Sequence, residues 1–456
     1  MLIKNTVVAL STPSGRSAIG VIRLSGTRAL EIAQQLVQDK KFSPEPNRVT
    51  LKKLYDPTTG EVLDHALLTY FKSPNSFTGE DIVEFSCHGS PVLLRHLIDC
   101  ILSLDARLAE PGEFTLRALA NGRLNLSQAE AIRDLINART KAAIRQATRQ
   151  LGGELSALLQ PFKDTLLDII VPLESSLEFV EDDLPEIALD KIKVKLSNLA
   201  THIEELASTF TSGKLLRDGL KVTLVGRPNA GKSSVFNRLL ASDRAIVTDV
   251  PGTTRDSLSE MLNLQGVPVL LTDTAGLRIS QDMIENLGVE RTQRAIADAD
   301  LVVLVIDGSR LLTPEDKNVF NDVAQNPHLI ALNKNDLESF NQSELEWRSD
   351  QTTSIVSLSA KTGAGLDTLC DAILKPFSAS DMSNAGLLVT DARHFDLLQR
   401  THTSLCSSIT LLVQRASEEL MLVGLYDALR FLGEITGETT PNDVLSQIFA
   451  TFCIGK

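Results

Sequence analysis

Gly226-Arg227-Pro228-Asn229-Ala230-Gly231-Lys232-Ser233 is the stretch that decides how this chain is read. It fits G-x-x-x-x-G-K-[ST], a loop whose backbone N–H groups cradle phosphate oxygens at a helix N-terminus. A short apolar run, Lys221 to Val225, precedes it as a strand, and a helical segment opens at Ser234. In that setting Lys232 reaches the β- and γ-phosphates of a nucleotide and Ser233 binds Mg2+.

Working outward, Val267–Thr272, Leu301–Ile306, Leu329–Leu332 and Ile355–Leu358 read as further strands, with helix-length segments between them. That alternation predicts a doubly wound, mostly parallel sheet over residues 217–377. Asp273-Thr274-Ala275-Gly276 ends one strand. Its carboxylate would hold Mg2+ through a bound water, and the Gly276 N–H would meet the γ-phosphate. Asn333-Lys334-Asn335-Asp336 ends another. The Asp336 carboxylate can accept from guanine N1–H and its exocyclic amine, a donor pair that adenine lacks, and such a site rejects the analogue strongly. Ser359-Ala360-Lys361 follows the last strand and would cap the guanine carbonyl. Four motifs in this order resemble a GTPase domain of the translation-factor class.

Two residues narrow the mechanism. Leu277 follows Gly276, where Ras-like enzymes place a glutamine that orients the attacking water. Leucine cannot do this. Asn229, inside the phosphate loop, offers a side-chain carbonyl that could coordinate a monovalent cation and neutralise transition-state charge as an arginine finger does. Shaping the turn is the alternative role for Asn229.

At 456 residues the chain has room for several domains, and its 43% hydrophobic content supports ordinary globular cores. The five cysteines (Cys87, Cys100, Cys370, Cys406 and Cys453) form no C-x-x-C pair. Neither a zinc site nor a disulfide framework is indicated, and a reducing compartment is expected. The opening Met1-Leu2-Ile3-Lys4-Asn5-Thr6 lacks the apolar core of a signal peptide, and no apolar run is long enough to span a bilayer. A cytoplasmic protein without membrane contact is expected. A net charge of −13 disfavours strong unaided nucleic-acid binding.

Residues 1–120 mix short strands (Thr6–Leu10, Ala18–Leu24, Ala66–Phe71, Asp81–Ser86) with helices and read as an α+β domain. From about Leu126 the texture turns helical. Ser127-Gln128-Ala129-Glu130 has the form of a helix start, and Pro161, Pro172 and Pro185 should end or kink the helices that follow. Residues 391–450 share that texture. The reading is a discontinuous helical domain, 121–216 with 378–456, into which the α/β domain is inserted.

Three further stretches carry a resemblance. Thr248-Asp249-Val250-Pro251-Gly252-Thr253-Thr254-Arg255-Asp256 matches the first switch segment of cation-activated GTPases. The N-terminal block carries Pro74-Asn75-Ser76-Phe77-Thr78-Gly79-Glu80-Asp81 and Pro111-Gly112-Glu113-Phe114, and the chain ends in Cys453-Ile454-Gly455-Lys456. Along its whole length the chain resembles the MnmE (TrmE) family of tRNA-modification GTPases. The resemblance implies modification at carbon 5 of the tRNA wobble uridine, adding an aminomethyl or carboxymethylaminomethyl group. It implies a homodimer formed through the N-terminal domain and a heterotetramer with the FAD-dependent MnmG (GidA). It also implies GTPase domains that pair when GTP and potassium bind.

Residue by residue, the resemblance implies potassium ligands Asn229, Thr248, Val250 (through its carbonyl) and Thr253, and Mg2+ ligands Ser233 and Thr254. GTP contacts would include Asn229, Ala230, Gly231, Lys232, Ser233, Ser234 and the segment Thr248, Asp249, Val250, Pro251, Gly252, Thr253, Thr254. Asp273, Thr274, Ala275, Gly276, Asn333, Lys334, Asp336, Ser359, Ala360 and Lys361 complete them. Glu285 matches the catalytic glutamate that positions water, and Arg278 would help order its segment. The N-terminal domain resembles folate-binding one-carbon domains. Arg23, Glu84, Arg123 and Lys456 match contacts to 5-formyl-tetrahydrofolate. Arg123 stands where the family often has lysine, which keeps the charge and changes its geometry. Cys453 is read either as a functional thiol near that site or as an unreactive packed cysteine.

Lys141, Arg145 and Arg149 recur every fourth residue as a basic stripe, for tRNA, a partner or plain solvation. Glu174, Glu178, Glu181, Asp182, Asp183 and Glu186 form an acidic cluster with a solvated helix end as its ordinary explanation. His88 is expected to pack or hydrogen-bond structurally. Two other functions fit parts of the pattern: a regulatory GTPase switch in ribosome assembly, and a folate-dependent transferase with an accessory GTPase.

Overall fold

A computed structural model describes residues 5–178, 189–241, 259–274, 292–341, 354–375, 386–438, 445, 448–453 and 455. The chain is multidomain, and its contacts divide it into two compact units. One comprises Met1–Ile136, Arg149–Ile187 and Glu418–Lys456; the other comprises Asn137–Thr148 and Ala188–Ser417. Among the described residues no helix is long and apolar enough to cross a membrane.

The first unit holds a six-stranded sheet of α+β type. Its strands are β1 (Val7–Leu10), β2 (Ile19–Ser25), β3 (Val49–Tyr55), β4 (Val62–Phe71), β5 (Ile82–His88) and β6 (Arg107–Leu108). Their order is β3-β4-β5-β2-β1-β6, with β1 and β6 parallel and all other neighbours antiparallel. Strand alternation assigns the faces. Ile22 and Leu24 of β2 and Val83 and Phe85 of β5 are buried in a core with helices Ala29–Leu36 and Pro91–Ser103. Arg23 and Glu84, one residue out of phase, lie on the opposite face and directly across from each other in register.

Helix Glu113–Ala120 carries two of this unit's buried charges, Glu113 and Arg117. Arg117, 1% exposed, pairs with Glu113 at 2.8 Å and Glu80 at 2.9 Å, and also donates to the Asn5 backbone carbonyl. Arg107 pairs with Glu113 from β6. Burial pushes the Glu113 carboxyl up, but the hydrogen bonds from Arg107, the Glu110 amide and Arg117 outweigh it and hold the group below its ordinary value.

Helix Leu126–Asn137 starts at Leu126, and Asn125, not Ser127, caps it. Asn125 Oδ1 accepts from the Gln128 amide at 2.9 Å, and Gln128 Oε1 accepts from the Asn125 amide at 3.0 Å. This reciprocal pair is a capping box two residues upstream of the expected one. Helix Glu154–Glu178 also departs from expectation, because it runs through both Pro161 and Pro172. An interior proline costs about 3 kcal/mol. Leu155, Leu159, Leu166, Ile169, Ile170 and Leu173 are all buried on this helix, and each contributes about 1.5–3 kcal/mol. It packs against helix Glu418–Thr436, so segments on either side of the α/β domain meet. Buried Lys163 joins the two segments by a 2.6 Å ion pair to the exposed Glu438. Pro185 lies outside the described residues.

The second unit contains the α/β domain. Its strands are β7 (Leu220–Val225), β8 (Ser259–Leu264), β9 (Val267–Asp273), β10 (Leu301–Asp307), β11 (His328–Asn333) and β12 (Ile355–Ser357), in the order β12-β11-β10-β7-β9-β8. All neighbours run parallel except β8 and β9, which form a hairpin. β10 shows why its run is continuously apolar. Leu301, Val303 and Val305 enter one core, and Val302, Leu304 and Ile306 enter the other. Helices Leu189–Ser208 and Ala392–Val413 pack on each other in this unit, again joining the two flanks of the insertion.

The charge network around Arg117 sets an acid limit on the first unit. A carboxyl held low in the fold stabilises it fully above the ordinary value of 4.5, and that stability is lost as pH falls through the lower folded value. Glu113→Gln should cost about 3 kcal/mol at neutral pH and flatten the decline between neutral and acidic pH. Urea unfolding of both proteins across that pH range checks this.

Candidate functional site

The phosphate loop leaves the C-terminal end of β7, at the point where the order of the sheet reverses. In open α/β sheets this is where the ligand crevice forms. Sterics fix the loop's course. Gly226 takes φ 151° against the Val305 carbonyl, which a Cβ would meet at 2.3 Å. Gly231 takes φ 97° beside Asn333, whose Nδ2 a Cβ would meet at 2.1 Å. Asn229 takes φ 67°, a left-handed conformation that asparagine tolerates better than most residues. Helix Lys232–Leu239 follows and points its N-terminus at the loop.

A cavity of about 640 Å³ opens there, lined by Gly226, Asn229, Gly231, Lys232, Ser233, Ser234, Thr274 and Lys334 among others. Lys232 is buried, and its Nζ donates to the carbonyls of Gly226 and Arg227 at 2.7 and 2.9 Å. Ser233 Oγ donates to Asp273 Oδ2 at 2.6 Å. A hydroxyl and a carboxylate this close make a hard-oxygen pair suited to Mg2+, which prefers few protein ligands and keeps several waters. The Thr274 hydroxyl donates to the Leu224 carbonyl at 2.8 Å and ties this motif to β7.

Asn333 joins three motifs. Its Nδ2 donates to the Ala230 carbonyl at 3.0 Å, and its Oδ1 accepts from the Ala360 amide at 3.0 Å. Asp336 is exposed, and Ser359 Oγ donates to its Oδ1 at 2.7 Å. The hydroxyl thereby orients the carboxylate expected to read guanine. Lys361 is exposed in the adjoining turn.

Sequence reading passed over Asp307. Lys334 Nζ reaches its Oδ2 at 2.6 Å, and Ser309 donates to its Oδ1 through both hydroxyl and amide. Burial raises the Asp307 carboxyl, and the bonds from Lys334 and Ser309 more than reverse it. An acidic residue closing the apolar run of β10 was the available signal. Gln293, Ile296, Val319 and Asp322 also line the cavity, without any motif to announce them.

The first unit brings together part of the second expected site. Arg23 Nε and Nη2 both reach Glu84 Oε1 at 2.8 Å, and Arg23 Nη1 donates to the Gly455 carbonyl at 3.4 Å. The rings of Phe77 and Phe114 flank the guanidinium at 5.8 and 5.7 Å. Arg123 is exposed, with its side-chain stem beside Gly79. Paired opposite charges beside aromatic faces fit a flat heterocycle bearing N–H donors and an anionic tail. Cys453 is exposed, and its carbonyl accepts from the Gly112 amide at 3.4 Å.

Several expected residues lie outside the described residues: Thr248, Asp249, Val250, Pro251, Gly252, Thr253, Thr254, Ala275, Gly276, Arg278, Glu285 and Lys456. Leu277 lies there too, as do the acidic residues Glu181, Asp182, Asp183 and Glu186. Of the remaining cluster, Glu174 accepts from the Tyr426 hydroxyl. In the basic stripe Lys141 and Arg145 are exposed, and Arg149 pairs with Glu154 at 2.8 Å. His88 hydrogen-bonds Asp64 at 2.7 Å, the structural role expected of it.

The model of the GTP-binding protein TrmE N-terminus matches residues 6–123, and that of the MnmE helical domain matches 126–453. The tRNA modification GTPase MnmE of Aquifex aeolicus (strain VF5) is 41% identical over 99% of this chain and 100% of its own length. That of Clostridioides difficile (strain 630) is 39% identical over the full length of both. Among solved structures, the G domain of the T. maritima FeoB iron transporter is 25% identical. The likeness covers 34% of this chain and 97% of that one, with a TM-score of 0.27. The chain belongs to the MnmE (TrmE) family of tRNA modification GTPases.

Proposed function

We propose that this chain is a potassium-activated GTPase of tRNA wobble-uridine modification. It would act in the cytoplasm as a homodimer, and with an FAD-dependent partner of the MnmG kind would add an aminomethyl or carboxymethylaminomethyl group at carbon 5. The observation that carries the reading is the convergence of Lys232, Ser233 and Asp273 at one helix N-terminus, in a chain that aligns end to end with MnmE relatives. The division of labour is a folate and dimerisation domain over 1–120, a helical domain over 121–216 with 378–456, and a GTPase domain over 217–377.

Each residue then has a task. Asp336, oriented by Ser359, selects guanine, and Asn333 fixes the base-reading motifs to the phosphate loop. Lys232 exchanges its loop carbonyls for the β- and γ-phosphates. Ser233 and Thr254 ligate Mg2+, with Asp273 holding a coordinated water. Bound by these residues, Mg2+ would supply positive charge beside the phosphates. Asn229, Thr248, the Val250 carbonyl and Thr253 hold potassium, and the left-handed turn at Asn229 places that residue on the cavity wall. Glu285 positions the attacking water, and Arg278 orders its segment. Arg23, Glu84, Arg123 and Lys456 bind 5-formyl-tetrahydrofolate: the carboxylate accepts from ring N–H groups and the cations meet its anionic tail. The Cys453 carbonyl bonds the Gly112 amide, and its exposed thiol would serve the modification chemistry, the alternative being an unreactive cysteine.

Three measurements test the reading. Deleting the gene should remove the modified wobble uridine from bulk tRNA in nucleoside mass spectrometry; an unchanged profile refutes the tRNA role and leaves a ribosome-assembly switch. GTP turnover should be roughly tenfold or more faster in potassium than in sodium, and Asn229→Ala should abolish the difference. Equal rates in the two salts remove the cation mechanism. Calorimetric titration with 5-formyl-tetrahydrofolate should give saturable binding, weakened roughly tenfold or more by Glu84→Gln; absence of saturation in the parent protein removes the folate site.

A further inference from the structure

Cys100 belongs to no cysteine pair in the sequence, yet the fold gives it company. His96 and Cys100 are four residues apart on helix Pro91–Ser103, so both side chains leave the same helix face. That face meets the turn after β3, where Asp56 stands. Asp56 Oδ1 is occupied by the turn itself, accepting from the amides of Thr58 and Thr59 at 2.7 and 3.1 Å. Its Oδ2 is directed instead at the helix and lies 3.0 Å from His96 Nε2. One ligand atom each of Asp56, His96 and Cys100 falls within 4.8 Å of the other two.

We propose that Asp56, His96 and Cys100 form a binding site for a divalent transition-metal cation of the zinc class, separate from the nucleotide site. The donor set is one carboxylate oxygen, one imidazole nitrogen and one sulfur, the three donor types found on protein-bound zinc. Carboxylate and imidazole donors at bond lengths of about 2.0–2.1 Å stand roughly 3.3 Å apart in a tetrahedron, so Oδ2 and Nε2 need to part by only a few tenths of an ångström. The thiolate bond is longer, about 2.3 Å, and tolerates a wider separation. Asp56 and Cys100 are 7% and 6% exposed, whereas His96 is half exposed. The ion is therefore reached from the His96 side, and water takes the fourth position.

Charge points the same way. Among the described residues no lysine or arginine pairs with Asp56, so this buried carboxylate has only hydrogen-bond donors to offset it. Binding balances simply. The Cys100 thiol releases its proton to solvent and the thiolate bonds the metal. The His96 proton moves from Nε2 to Nδ1 by exchange with water, so the net release is one proton per ion bound. Bound metal would clamp the helix to the β3–β4 turn.

A surface set supplies an internal control. Cys406 lies 3.5 Å from His402, which is 3.9 Å from Glu204, also four residues apart on one helix but open to solvent. The experiment titrates the metal-stripped full chain with Co2+ in the presence of excess Mg2+ and GDP. We expect one equivalent of Co2+ to produce tetrahedral visible bands and a near-ultraviolet thiolate-to-cobalt band. Both should be lost in Cys100→Ser and His96→Gln and kept in Cys406→Ser. Zn2+ should displace the colour and raise the Tm of the parent protein, but not of His96→Gln, whose half-exposed position tolerates the change. No thiolate band in the parent protein overturns the proposal. So does a band that survives both Cys100→Ser and His96→Gln, or one that disappears with Cys406→Ser.

Discussion

One side-chain amide holds the nucleotide cleft together. Asn333 closes β11, is 2% exposed, and spends both ends of its amide on backbone: the phosphate loop on one side, the turn after β12 on the other. Gly231 must be glycine because that amide occupies the space a Cβ would need. The phosphate-binding and base-reading halves of the cleft are therefore joined through one side chain. Removing the amide would leave the buried Ala230 carbonyl without its partner, at a cost of about 1–3 kcal/mol, and would free the half-buried Ala360 N–H.

Much of this was legible because the residues involved answer to local rules. The apolar run Leu301–Ile306 announced a strand buried on two faces, and that is where β10 lies. The G-x-x-x-x-G-K-[ST] pattern announced a loop between a strand and a helix, and the loop runs from β7 to helix Lys232–Leu239. The bond between Lys334 and Asp307, by contrast, joins neighbouring strands and follows from register, which no single stretch of sequence encodes.

The errors have the same origin. Pro161 and Pro172 are local breakers, but the helix that holds them buries six large aliphatic side chains, and tertiary packing outweighs propensity. Ser127 looked like a cap until Asn125, two residues earlier, took Gln128 as its reciprocal partner. β3 and β8 escaped notice because edge strands are apolar on one side at best. The β8–β9 hairpin nonetheless carried a signal in Gln265-Gly266, whose φ values of 51° and 95° form a two-residue turn. The grouping of Asp56 with His96 and Cys100 was invisible for a plainer reason: a turn and a helix 40 residues apart had first to be docked.

The contact between Arg23 and Gly455 spans 432 residues of chain. At a ribosomal pace of about 5–20 residues per second, roughly 20 to 90 seconds separate the synthesis of its two partners. The β-sheet that carries Arg23 can form early, and the unit that holds the inserted α/β domain ends at Ser417, so it can fold before Gly455 is made. The Arg23–Glu84 face gains this wall only once Gly455 has been made. A nascent chain thus holds a finished nucleotide cleft well before it holds a finished N-terminal site, and the order of synthesis separates the birth of the two centres in time.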